Sequence, residues 1–246
     1  RSYVTGSGAD PVTLKASGYS NTGTNGNNGS IDNSNNNLLE SAYLYRGANW
    51  QGLGVYNRDK DNGSDSQEGS DPEHSIDNNE RTDAVLMDFG GKDIRLDTVD
   101  IGWAPYDSDF FVLAYQGAGT PTLSGTSYKD LSGWTLIGNY SNQGANNVDL
   151  ATAGSGSVIN ADRANIYSSF WLIGAGGFAV GTGIVFDTKS GCSSCKSYDY
   201  LKLAGVGGTV KDGGGPPGGV PEPGSLALLG LAFLGLVGTR KTKPVR

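Results

Sequence analysis

The stretch TDAVLMDF at residues 82–89, followed after GGKDIR by LDTVDIGW at 96–103, decides the fold. Both runs are short, rich in β-prone residues and closed by Gly, Pro or Asp, which predicts two strands separated by a turn. FFVLAY at 110–115 follows a Pro/Asp turn and reads as a third strand. Working outward, Val12, Leu14 and Ala16 alternate with polar residues at period two within an opening stretch 1–20. Residues 39–45 put Leu39, Ser41, Tyr43 and Tyr45 on one face, and WQGLGVY follows at 50–56. Later candidates are WTLIGNY at 134–140, SFWLIG at 169–174, the stretch 183–187 and YLKLAGV at 200–206. No stretch before residue 225 holds a helical period over a helix-length window, and no repeat of domain-building length is present. Roughly nine or ten short strands with Gly-rich turns predict an all-β fold, an antiparallel β-sandwich of jelly-roll type.

Composition agrees. Of 246 residues, 40 are Gly and only 17% are charged, while 4 Trp, 12 Tyr and 7 Phe supply core material. A disordered chain would carry more charge and fewer aromatics. The net charge is −7 although the last residues hold Arg240, Lys241, Lys243 and Arg246 against Glu222, so the rest of the chain is more acidic than the total. An acidic body lacks the basic footprint that phosphate binding needs, which excludes nucleic acid as a partner and favours divalent cations or simple solubility.

Low-complexity Asn/Gly/Ser sequence at 21–37 and a polar, acidic stretch at 57–80 read as loops. GGTVKDGGGPPGG at 207–219 reads as a flexible linker with one stiff Pro-Pro step. The expected organisation is therefore a β-sandwich surface domain over 1–206, a Gly/Pro-rich linker over 207–219 and a C-terminal segment over 220–246.

That segment reads VPEPGSLALLGLAFLGLVGTRKTKPVR. It places Pro221, Glu222 and Pro223 before an apolar run broken by Gly230 and Gly235, then a basic cluster. Residues 225–239 as a short hydrophobic helix span ~23 Å, less than a ~30 Å hydrocarbon core, so the run is a marginal anchor. The basic cluster is expected to stay cytoplasmic, leaving the Pro-flanked motif extended at the outer boundary where a membrane enzyme can reach it. A packed core helix or a plain single-span anchor is the alternative. The order of these parts, with VPEP at 220–223 and Arg240–Lys241, resembles the PEP-CTERM sorting domain. That resemblance implies an exosortase substrate, held transiently in the inner membrane of a Gram-negative bacterium and then released or attached at the cell surface or in an extracellular matrix. It also implies a bacterium that makes exopolysaccharide and biofilm, and an export peptide ahead of Arg1.

A second resemblance covers the body. WQGLGVYN (50–57), PEHSIDN (72–78), DAVLMDF (83–89), IGW (101–103), SDFFVLAY (108–115), SSFWLIGA (168–175) and DYLKLAGV (199–206) are similar to a family of exosortase-dependent surface proteins, which implies no enzymatic role.

Several groups carry potential chemistry. Asn57, Asp59, Asp61, Asp65 and Glu68 occupy the oxygen-ligand positions of a calcium loop, although Asn62 stands where such loops carry Gly and no helices flank the window. Calcium and a solvated polar loop are both open. Asp77 and Asn78 are further ligand candidates. His74, the single histidine, can act with Glu73 or Asp77 as an acid/base group, but turn and cap bonding is the expected role. Cys192 and Cys195 have CxxC spacing in a Gly/Ser turn; in an exported protein a local disulfide is expected. Trp50, Trp103, Trp134 and Trp171 sit in or beside apolar strands, so packing is expected, with a sugar-stacking face as the alternative. Three functions follow: a structural surface or matrix protein that self-assembles, partnered by itself; an exopolysaccharide-binding module; and a secreted hydrolase using Glu73, His74 and Asp77. The first is expected.

Overall fold

The computed structural model describes residues 2–5, 12–23, 37–46, 51–58, 72–152, 154–186 and 198–211. Its elements are β1 (Ser2–Thr5), β2 (Val12–Gly23), β3 (Leu38–Arg46), β4 (Leu53–Tyr56), β5 (Ile76–Asp77), β6 (Asp83–Asp88), β7 (Ile94–Trp103), β8 (Phe110–Tyr115), β9 (Trp134–Tyr140), β10 (Asn147–Asp149), β11 (Val158–Ile159), β12 (Phe170–Ala175), β13 (Gly177–Ala179), β14 (Gly183–Val185) and β15 (Tyr200–Val210), with two short 3₁₀ turns. The strand pairs are antiparallel, as the sequence predicts.

Thirteen strands form one sheet in the order β10-β7-β15-β4-β3-β2-β6-β12-β8-β9-β11, with β1 added to β2 and β5 to β15. The turning point is β3. Its first half pairs with β2 and its second half with β4. The sheet curls there, so its two arms face each other as the layers of a sandwich do, while remaining one hydrogen-bonded sheet. One core lies between the arms: Val55, Leu96, Val99, Ile101, Leu201 and Leu203 from one arm meet Val85, Met87, Val112, Trp171 and Ile173 from the other.

The apolar runs at the start of the sequence reading have a cause in this packing. On β6, β8 and β12, Val85, Met87, Phe110, Val112, Trp171 and Ile173 point into that core. Their neighbours Ala84, Leu86, Phe111, Leu113 and Leu172 point the other way, into a second cluster. Leu123 and Tyr128 from the 116–133 excursion and Phe178 and Ile184 from the β13–β14 hairpin cover that outer face. Strands buried on both faces have no polar side to alternate with, so they read as continuous hydrophobic runs. Tyr128 keeps its hydroxyl satisfied by donating to the Thr82 carbonyl at 3.1 Å.

Three boundaries differ from the sequence reading. β2 continues to Gly23, into the Asn/Gly stretch read as loop from 21. Within the acidic stretch read as loop over 57–80, Ile76 and Asp77 pair with Leu201 and Tyr200. The last strand, read over 200–206, runs to Val210, pairing Gly207, Gly208, Thr209 and Val210 with Thr98, Leu96, Arg95 and Ile94. Glycine composition signals a linker, but here it permits contact: a Cβ on Gly208 would lie 2.5 Å from the Arg95 carbonyl oxygen. The strands belong to one compact unit, Arg1–Lys211, and residues 212–246 lie outside the described residues.

Candidate functional site

Among the described residues, two of the polar clusters set in the apolar body bring titratable side chains together. The first lies where the chain enters β8 and β15. Asp107 and Asp199 form an isolated parallel bridge, and Tyr200 N–H donates to the Asp107 carbonyl at 2.9 Å. This brings together Asp107, Asp109 and Asp199, each offering a carboxylate oxygen within 4.8 Å of the others. Asp109 is 7% exposed and Asp199 only 2%. Asp199 is held on three sides. Its Oδ2 accepts Asn78 Nδ2 at 2.7 Å, its own N–H donates to Asn78 Oδ1 at 2.8 Å, and its Oδ1 accepts the Asp109 N–H at 2.8 Å. Asp109 Oδ1 accepts the Asn142 N–H at 2.6 Å.

Burial pushes the Asp199 carboxyl up to about 8, and the neighbouring Asp109 charge adds to the rise, against the opposing hydrogen bonds from the Asp109 N–H and Asn78. At neutral pH Asp199 therefore favours its protonated form. Chemically the arrangement can store that proton or present oxygens to a hard cation. On its rim, Tyr106 is 71% exposed and meets Tyr200 edge-on with ring centroids 6.0 Å apart, while Tyr198 is 38% exposed. Sequence reasoning missed this trio. The signal available was the Asp-x-Asp of 107–109; nothing local points from it to Asp199.

The second site surrounds His74. Its Nδ1 faces the Pro72 carbonyl at 3.4 Å and its Nε2 faces Lys202 Nζ at 3.2 Å. Tyr45 stacks on His74 and on Tyr56, and Trp103 meets His74 edge-on. Glu73 instead accepts from Asn79 Nδ2 at 2.5 Å, and Asp77 Oδ1 accepts the Asn79 N–H at 3.1 Å. These bonds do not join Glu73, His74 and Asp77 as an acid/base trio; those of Glu73 and Asp77 fix the turn into β6, the role expected for them. Asn78 bonds Asp199, while residues 59–71, which would complete a ligand set with Asp77 and Asn78, lie outside the described residues.

Of the calcium window, Asn57 is buried just after β4. Asp59, Asp61, Asp65 and Glu68 lie outside the described residues, as do Cys192, Cys195, Trp50, Pro221, Glu222, Pro223, Arg240 and Lys241. Trp171 and Trp134 are core residues, and Trp103 is half-buried with Lys202 Nζ 4.6 Å above its ring, so these three tryptophans pack as expected.

No curated protein and no solved structure matches the chain. Residues 219–241 match the model of the PEP-CTERM protein-sorting motif, the segment that carries VPEP and Arg240–Lys241. That motif makes this chain an exosortase-sorted extracellular protein, secreted with its C-terminal tail as a transient membrane anchor.

Proposed function

We propose that the sorted body serves, without catalysis, as a structural component of a Gram-negative cell surface or biofilm matrix. The supporting observation is how the body ends. β15 lies between β7 and β4 in the sheet, its last residues pair with β7, and Lys211 N–H still donates to the Asp93 carbonyl at 2.8 Å. Thr209 Oγ1 donates to Asp97 Oδ2 at 2.6 Å, and Arg95 binds the same carboxylate at 2.7 Å. A tail attached to the sorting machinery or to the surface thus holds the sheet itself and not a frayed end. The test compares the wild-type strain with one lacking residues 219–241, measuring the protein in matrix and medium fractions. Loss of the protein and of matrix cohesion from the surface fraction is expected; an intact matrix with the protein free in the medium of both strains would sink the proposal. Self-assembly is tested by concentration-dependent oligomers. The terminal strands β10 and β11 hold three and two residues, which directs attention to faces rather than strand edges.

A second reading, binding of exopolysaccharide, is favoured by Tyr106 and Tyr198 standing exposed beside Asp107, an aromatic face next to hydrogen-bonding oxygens. Retention on the host's own polysaccharide, reduced by Tyr106→Ala, is the expected result. Calcium is proposed at the window 57–68. It predicts a melting temperature raised by Ca²⁺, with no such gain after Asp59→Ala plus Asp61→Ala.

A further inference from the structure

The sheet is continuous on paper, but its seam is narrow. β4 and β15 are joined by one pair, Leu53 with Leu203. Around that seam the backbones approach closely. Gly52 adopts φ +125°, and a Cβ there would lie 2.7 Å from the Leu203 carbonyl carbon; one on Gly54 would lie 2.1 Å from the His74 carbonyl oxygen. Val55 N–H donates to the Ser75 carbonyl at 3.0 Å, tying β4 to the His74 segment. Side chains from four strands then close over the seam. Lys202 of β15, 4% exposed, places its Nζ 4.6 Å from the Trp103 ring centroid of β7 and 5.6 Å from that of Tyr45 on β3. Tyr56 of β4 stacks on Tyr45 at 4.5 Å.

The protons in this cluster follow from its partners. A carbonyl only accepts, so the Nδ1 of His74 that faces Pro72 carries hydrogen. Its Nε2 faces Lys202, and an ammonium only donates, so Nε2 offers a lone pair. With Lys202 as an ammonium, these two contacts require a neutral imidazole. Protonating Nε2 would remove the acceptor and set two cations 3.2 Å apart in a largely desolvated place. Among the described residues, the groups facing or flanking the imidazole are Lys202 from β15, Tyr45 from β3 with Tyr56 of β4 behind it, the Trp103 ring from β7, and on its own segment Glu73, bonded to Asn79, and Asp77.

We propose that His74 and Lys202 form an acid-sensitive latch on the β4–β15 seam, closed while His74 is neutral and released when it takes a proton. Release would part the arms of the curled sheet at their narrowest join and leave the doubly buried strands β6, β8 and β12 intact.

The experiment is amide hydrogen exchange on the full chain at pH 7.5 and 5.0, corrected for intrinsic rates. Protection at 53–56 and 200–204 is expected to fall on the order of tenfold or more at the lower pH, while β6, β8 and β12 keep theirs. His74→Gln, whose amide oxygen accepts from Lys202 at either pH, should abolish that fall. An equal fall in His74→Gln, or none in the wild type, would overturn the latch. Should the variant not fold, the wild type still decides. His74 is the only histidine, so its imidazole nitrogens are read without ambiguity. They must show the neutral Nδ1–H form at pH 7.5 and titrate together with the loss of seam protection. An Nε2–H form, or titration with the seam still protected because Lys202 gives up its proton instead, refutes it.

Discussion

The aspartate trio and the His74–Lys202 pair each crowd ionisable groups of one kind, acids in the first and bases in the second, and the pH responses argued for them run in opposite directions. In the trio the groups are acids, and burial beside another carboxylate favours the protonated form of Asp199. The folded protein then binds more protons than the unfolded chain between the ordinary carboxylate range and pH about 8, so the trio weakens the fold as pH rises through that window. In the pair the groups are bases, and the hydrogen bond requires one of them to be neutral, so the proposed seam weakens as pH falls. Buried charge chemistry thus takes its sign from the group's proton count, not from burial itself.

The largest effect should come from neither site. Trp171, fully buried between the arms with its indole N–H donating to the Ser168 carbonyl at 2.9 Å, sets the scale for apolar packing. Trp171→Ala is expected to cost about 3–5 kcal/mol in denaturant unfolding. Next, Asn78→Ala removes the side chain that makes two bonds to Asp199, and should cost about 2–4 kcal/mol. A loss under about 1 kcal/mol would show that Asp199 is held mainly by its backbone contact. Third, the wild-type melting temperature should fall by several degrees between pH 5.5 and 8.5, and Asp199→Asn should flatten that slope because its amide resembles the protonated acid. An unchanged slope would remove the trio from the comparison. Fourth, Lys202→Met keeps the stem over Trp103 while deleting the charge, and should cost about 1 kcal/mol at pH 7.5. It should also shrink the acid response of the seam. Smallest, Tyr106→Ala should shift stability by no more than about 0.5 kcal/mol, since that ring is mostly in water.

Local chemistry was legible and distant pairing was not. The runs that became β6, β7, β8, β9 and β12 announced themselves because strand propensity and burial agree there. The tail was legible because its order of Pro motif, apolar run and basic cluster is contiguous. The outer layer was not, since Leu123, Tyr128, Phe178 and Ile184 sit in Gly-rich stretches whose covering role exists only once β8 and β12 present a second apolar face. The trio was invisible because Asp107 and Asp199 meet through a single bridge between distant segments. Lys202 meets Trp103 as its direct cross-strand partner on the neighbouring strand, a pairing between segments far apart in the chain that no local pattern announces. Residues 53–56, 74–77, 101–103 and 200–203 meet around this seam.

The place of β15 in the sheet also sets the order of events in time. The last described strand is third in spatial order, inserted between β7 and β4, so the two arms cannot join until residues up to 210 are available. Pairing of this kind, between segments far apart in the chain, is slow because loop closure precedes any gain from contact. A secreted chain that emerges from its N-terminus must therefore deliver β15 before its sheet can close. The sorting motif at 219–241 comes after β15 in the chain, so every strand of the sheet precedes the segment that is read for sorting.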